Sequence, residues 1–114
     1  MTGKSVKLFL RGSLDRKSVY YLLVAKSPFH PGMYLRQLLE EHGITQTRLA
    51  RHIGVQIGVI NQICNEKRGI SPAMALKLSH ALRTTPQFWL NLENAYNLGR
   101  TEVKRPIKPL IRVA

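Results

Sequence analysis

The chain has 114 residues, 44% of them hydrophobic, and carries 18 Lys and Arg against 6 Asp and Glu, a formal net charge of +12. That length suits one domain with tails and is too short for a deep cleft between two large domains. The charge excess points to a polyanionic partner, whether nucleic acid, an anionic membrane surface or an acidic protein.

The excess is uneven. Residues 1–31 are net +5, residues 32–97 net +3 and residues 98–114 net +4, so the flanks are the basic parts. One cysteine, Cys64, excludes an intrachain disulfide and fits a reducing compartment. No apolar run approaches the roughly 18 residues of a membrane span. "VYYLLVA" (19–25) follows a basic stretch, but it lies far from the N-terminus, is closed by Lys26 and lacks a small-x-small cleavage site. A cytoplasmic location is expected.

In chain order, residues 1–28 form a basic N-terminal extension. Within it "SVYYLLVA" is rich in β-branched and aromatic residues and is a candidate short strand. "SPFHPG" (27–32) is a breaker cluster and marks the boundary. Leu35, Leu38 and Leu39 then stand at i, i+3, i+4, predicting a helix over about residues 33–42 closed by Gly43. Thr45 caps a second helix with Leu49, Ala50 and Ile53 on one face, closed by Gly54. Gln56 opens a third with Ile60, Ile63 and Cys64 inward.

Ser71-Pro72 pairs an N-cap residue with proline at the first helical position, starting a fourth helix that runs to about Leu82 with Ala75, Leu78 and Leu82 inward. Thr85-Pro86 repeats the signal for a fifth, with Trp89, Leu92 and Tyr96 sharing a face. Residues 99–114 are a basic tail interrupted by Pro106 and Pro109, expected to lack regular structure. The fold class is therefore all-α.

"HPGMYLRQLL" (30–39), "GITQTRLARHIGV" (43–55) and "NEKRGISPAMALKLSHALRTTPQFWLNLENAYNL" (65–98) resemble the HigA-type antitoxins of the lambda-repressor-like helix-turn-helix family. The likeness covers residues 29–98. It implies a five-helix DNA-binding bundle and a homodimer that binds double-stranded operator DNA. Such a protein represses its own operon and neutralises a HigB-type toxin that cleaves messenger RNA.

The chain departs from the family pattern in three places. The residues after Val55, usually polar, read Gln56-Ile57-Gly58. The common Asn-Gly-Lys turn reads Asn65-Glu66-Lys67, so Glu occupies a position that favours positive φ, and Asn65 is a candidate to take over that strain. The first 26 residues have no counterpart in the family.

In this family the third helix enters the major groove. Starting near Gln56, it turns Gln56, Ile57, Gly58, Asn61 and Gln62 outward. Gln and Asn can pair bidentately with adenine, whereas Ile57 offers only apolar contact with a thymine methyl. Gly58 offers no side chain and costs about 1 kcal/mol of helix propensity relative to Ala. Direct readout is thus expected to be thin. The resemblance gives Gln46, at the start of the second helix, a phosphate contact, in accord with the pull of a helix N-terminus on anions. Lys67 and Arg68 are expected on the same backbone, with Arg48 and Arg51 as further candidates. Trp89 and Leu92 are expected in the core or, by resemblance, at the dimer interface.

Other chemistries find less support. Cys64 at an inward position suits core packing better than nucleophilic attack. The four histidines show no ligand spacing and no second Cys joins them, so no metal or other cofactor is expected. Six carboxylates offer no evident acid–base pair, and no Gly-rich phosphate loop or Ser-His-Asp order appears. The chain is not read as an enzyme. Two alternatives stay open: a helix-turn-helix regulator without a toxin, and a nucleic-acid or membrane-surface adaptor working through its basic flanks.

Overall fold

The computed structural model describes residues 27–112; the candidate strand at 18–25 lies outside them. Among the described residues five helices follow in order: α1 (Pro31–Glu41), α2 (Gln46–Ile53), α3 (Ile57–Cys64), α4 (Pro72–Leu82) and α5 (Pro86–Gly99). Among the described residues there is no strand, and no helix is long and apolar enough to cross a membrane.

Each boundary has a local cause. Thr45 Oγ1 accepts the Arg48 amide at 3.0 Å, Ser71 Oγ the Met74 amide at 3.2 Å, and Thr85 Oγ1 the Phe88 amide at 3.0 Å, so three helices begin on hydroxyl caps. Proline follows the cap in α1, α4 and α5, where its missing N–H costs nothing. Gly43 and Gly54 take φ values of +63° and +72°, closing α1 and α2 in the left-handed conformation that glycine adopts without strain.

The breaker cluster at 27–32 behaves differently from its sequence reading. Pro31 starts α1 two residues early because His30 serves as the cap: its Nδ1 accepts the Gly32 amide at 2.8 Å. The packed unit also begins before residue 29. Ser27 is buried and its amide donates to the Ala95 carbonyl at 2.9 Å, tying the chain's entry to α5.

α1 packs on α3 and α5, α2 on α3 and α4, and α4 on α5. Leu35, Ile60, Ile63, Leu78 and Trp89 are fully buried where these pairs meet. Trp89 packs edge-on to Phe88 and donates its indole N–H to Thr84 Oγ1 at 2.7 Å, so its one polar atom is satisfied indoors. Trp89 and Leu92 are 0% and 2% exposed within a single protomer. Neither can therefore form a dimer surface, and the core half of their sequence reading is the one that applies.

Burial also shapes the titration of His30. Its ring lies edge-on to Tyr96 with centroids 4.9 Å apart. Burial pushes its pKa below the ordinary 6.5, Arg100 pushes the same way, and Glu66 and Glu93 pull it upward less strongly. A lowered native value means that, below pH 6.5, the unfolded chain binds a proton that the folded chain resists. Stability from this group is therefore complete above pH 6.5 and is lost as pH falls towards the native value. Denaturant unfolding at pH 7.5 and at successively lower pH should show this decline. His30→Asn, which keeps an acceptor for the Gly32 amide but does not titrate, should lose that part of the slope; an unchanged slope would refute the assignment.

Candidate nucleic-acid interface

The helix pair α2–α3 is joined by three residues, with Gly54 making the reversal. α3 is only eight residues long, and an isolated helix of that length is unstable in water. It is held from behind. Ile60, Ile63 and Cys64 are 0% exposed. The Arg36 guanidinium of α1 donates to the Cys64 carbonyl at 3.1 Å, satisfying an otherwise orphan acceptor at the end of α3. Gly32 lies so close to the Ile63 carbonyl that a Cβ there would collide with it. Burial also pushes the Cys64 thiol up to about 11, so it stays protonated at neutral pH and serves as core.

The outer face of α3 carries the residues expected there. Gln56, Ile57, Gly58, Asn61 and Gln62 are all exposed, and Ile57 is 43% exposed. Gln56 is the N-cap residue but makes no side-chain capping bond, so its amide is not used by the helix. A Cβ added at Gly58 would meet nothing, leaving the backbone bare on this face.

Two hydrogen-bonded groups organise the polar side chains. In the first, Asn61 Nδ2 donates to Gln46 Oε1 at 3.3 Å and Asn65 Nδ2 donates to Asn61 Oδ1 at 2.8 Å. Three amides thus form a row from the first residue of α2 to the end of α3. In the second, Arg68 Nε donates to Gln62 Oε1 at 2.8 Å, aligning an exposed guanidinium against the reading helix. Lys67 is exposed beside it, and its own amide is fixed to the Gln62 carbonyl at 2.8 Å.

The turn that presents Lys67 and Arg68 keeps the geometry of an Asn-Gly-Lys turn despite the substitution. Glu66 itself takes φ +62°, and Asn65 stays at −90°. The expectation that Asn65 would absorb the strain is corrected: its side chain is committed to the amide row and Glu66 carries the left-handed backbone, at about 1–2 kcal/mol relative to a relaxed residue.

Arg48 is also clarified. It lines a shallow depression with Ile44, Leu49, His52 and Leu82, between α2 and α4, rather than joining the amide row. Two roles at the site, Asn65 at the end of the amide row and Arg36 on the Cys64 carbonyl, do not follow from the sequence reading. Asn65 stands four residues after Asn61, a spacing visible in the sequence. Arg36 acts across 28 residues, and nothing local announces it. Among the described residues, no group of three or more His, Cys, Asp or Glu could hold a metal ion.

The helix-turn-helix family matches residues 35–89. Virulence-associated protein A' of Dichelobacter nodosus is 41% identical over 76 residues, covering 66% of each chain. Antitoxin HigA-1 of Vibrio cholerae serotype O1 is 35% identical over 91 residues, covering 75% of this chain and 86% of that protein. The solved structure of Pseudomonas aeruginosa antitoxin HigA with the higBA promoter superposes with a TM-score of 0.69 at 37% identity, covering 75% of this chain and 100% of that one. With the helix-turn-helix family matched over residues 35–89 and this degree of identity and coverage, the chain belongs to the HigA-type antitoxins of the helix-turn-helix family.

Proposed function

We propose that this protein binds the operator of its own operon as a homodimer, represses transcription there, and neutralises a toxin of the HigB type. Family membership supports the whole reading, and the relative solved with promoter DNA supports its DNA half. The observation that carries the DNA half is the row Gln46–Asn61–Asn65 on the open face of α3.

The row has a chemical consequence. Asn61 spends one amide hydrogen and one lone pair on its neighbours, leaving one hydrogen and one lone pair. That remaining pair matches the N7 acceptor and N6 donor of adenine in the major groove. Gln46 and Asn65 hold the amide in place before DNA arrives, so little ordering cost falls due on binding. Gln62 acts first by aiming Arg68, while Arg68, Lys67 and the N-terminal end of α2 at Gln46 take phosphates. Gln56 faces bases with its amide uncommitted, Ile57 reaches a thymine methyl, and Gly58 lets the backbone come close. Pairing of two copies supplies a second half-site, because one reading helix covers too little DNA for tight specific binding.

Competition binding over a randomised half-site tests this. Asn61→Ala should cost about 1–3 kcal/mol on the preferred sequence and little on random duplex. Lys67→Ala should weaken both alike. With roughly four to eight phosphates neutralised by a dimer, the log–log salt slope should lie at about −4 to −7. If Asn61→Ala and Lys67→Ala lose affinity in the same proportion on both kinds of DNA, α3 does not read sequence.

The toxin half is tested by co-expressing the neighbouring small reading frame and following copurification. A stable complex that suppresses messenger RNA cleavage is expected. A neighbour that neither copurifies nor cleaves RNA would leave a regulator without a toxin.

A further inference from the structure

Glu93 stands on α5, outside the helix-turn-helix unit, yet both its carboxylate oxygens are committed. Oε1 accepts the Ile70 amide at 2.9 Å, across 23 residues of sequence. Oε2 accepts from the Asn97 side-chain Nδ2 at 2.9 Å, and Asn97 Oδ1 in turn accepts from the Arg100 guanidinium at 3.2 Å. The α-carbon of Gly69 rests against the same carboxylate, so a Cβ at that position would strike it. One carboxylate thus grips two consecutive residues of the turn that carries Lys67 and Arg68.

From this geometry we infer that Glu93 is a positioning residue for DNA binding, fixing the turn so that Lys67 and Arg68 stand where phosphates arrive. The inference rests on the DNA-binding reading above. The turn has few other restraints. Lys67 is tied to Gln62 at its start and Ile70 is buried at its end. Just before Lys67, Glu66 holds a left-handed backbone, a strained state that releasing the turn would let relax. An N–H left without an acceptor at Ile70 would drive such a rearrangement, since a buried donor without a partner is costly.

The sign of the effect separates this role from a bulk charge effect. Removing a carboxylate from a protein of net charge +12 strengthens the positive field, and electrostatics alone predicts tighter DNA binding. Positioning predicts the reverse.

The test uses the full chain and a labelled random-sequence duplex, because a phosphate clamp acts regardless of sequence. Glu93→Ala should weaken binding roughly tenfold and flatten the salt slope by about one unit for each phosphate no longer engaged. Glu93→Gln keeps the acceptor for Ile70 and should stay within about twofold of the unaltered protein. In a Lys67→Ala, Arg68→Ala background, Glu93→Ala should add no further loss, because the groups it positions are gone. Gly69→Ala puts a Cβ into the Glu93 carboxylate and forces it off the Ile70 amide with the charge intact, so it should reproduce the weakening, which keeps the test valid if Glu93→Ala unfolds.

Unchanged or tighter binding by Glu93→Ala, a full additional loss in the clamp-deleted background, or a Glu93→Gln as weak as Glu93→Ala would each overturn the proposal. If removing Lys67 and Arg68 leaves binding intact, it is the phosphate-clamp reading that fails.

Discussion

Where α1 crosses α3, Gly32 lies directly against the Ile63 carbonyl, and any larger residue there would push the two helices apart. The rest of the interface follows from that contact. A reading helix of eight residues has no independent stability and takes its position from what it packs on. The close approach lets Arg36 reach the Cys64 carbonyl and lets Ile60, Ile63 and Cys64 bury completely. The same corner seats His30, whose neutral ring both caps α1 and packs on Tyr96 of α5. One contact thereby joins the N-terminal entry, the reading helix and the C-terminal helix.

Against this rigid back, the open face is chemically modest. Ile57 and Gly58 bring no hydrogen-bonding side-chain group to it. The protein compensates through order. Asn61 is held between Gln46 and Asn65, and Arg68 is held on Gln62, so the polar groups of this open face are already arranged in the free protein. Preorganisation of this kind raises the yield of each contact without adding new ones.

The charge pattern fits the same division of labour. Residues 32–97 carry a net charge of only +3, and they place two carboxylates, Glu66 and Glu93, in or behind the turn that bears Lys67 and Arg68. A surface built for indiscriminate attraction would lack them. Here both carboxylate oxygens of Glu93 accept hydrogen bonds, from the Ile70 backbone and the Asn97 side chain, so the group acts as a restraint on the turn. By sequence, the larger net charge lies in the flanks.

The helices were legible because their signals are local. Thr45, Ser71 and Thr85 act as caps wherever a helix begins, Gly43 and Gly54 end helices through a backbone conformation, and the spacing of Leu35, Leu38 and Leu39 marks an inward face without reference to any neighbour. The outward set on α3 was legible for the same reason, since the inward residues fix the helix's rotation. Three things were not. His30 as a cap, and hence the early start of α1, depended on a ring position stabilised by Tyr96 from the far end of the chain. The burial of Trp89 and Leu92 could not be told from interface exposure, because an apolar helix face looks the same whether its own chain or another copy covers it. The restraints from Arg36 and Glu93 bridge 28 and 23 residues and exist only once the helices are packed. Sequence by itself determined the elements, their faces and the family, through periodicity and capping chemistry that act within a few residues. The tertiary structure alone decided which side chains are held, by what and in which direction, because those bonds form between groups that only folding brings within reach.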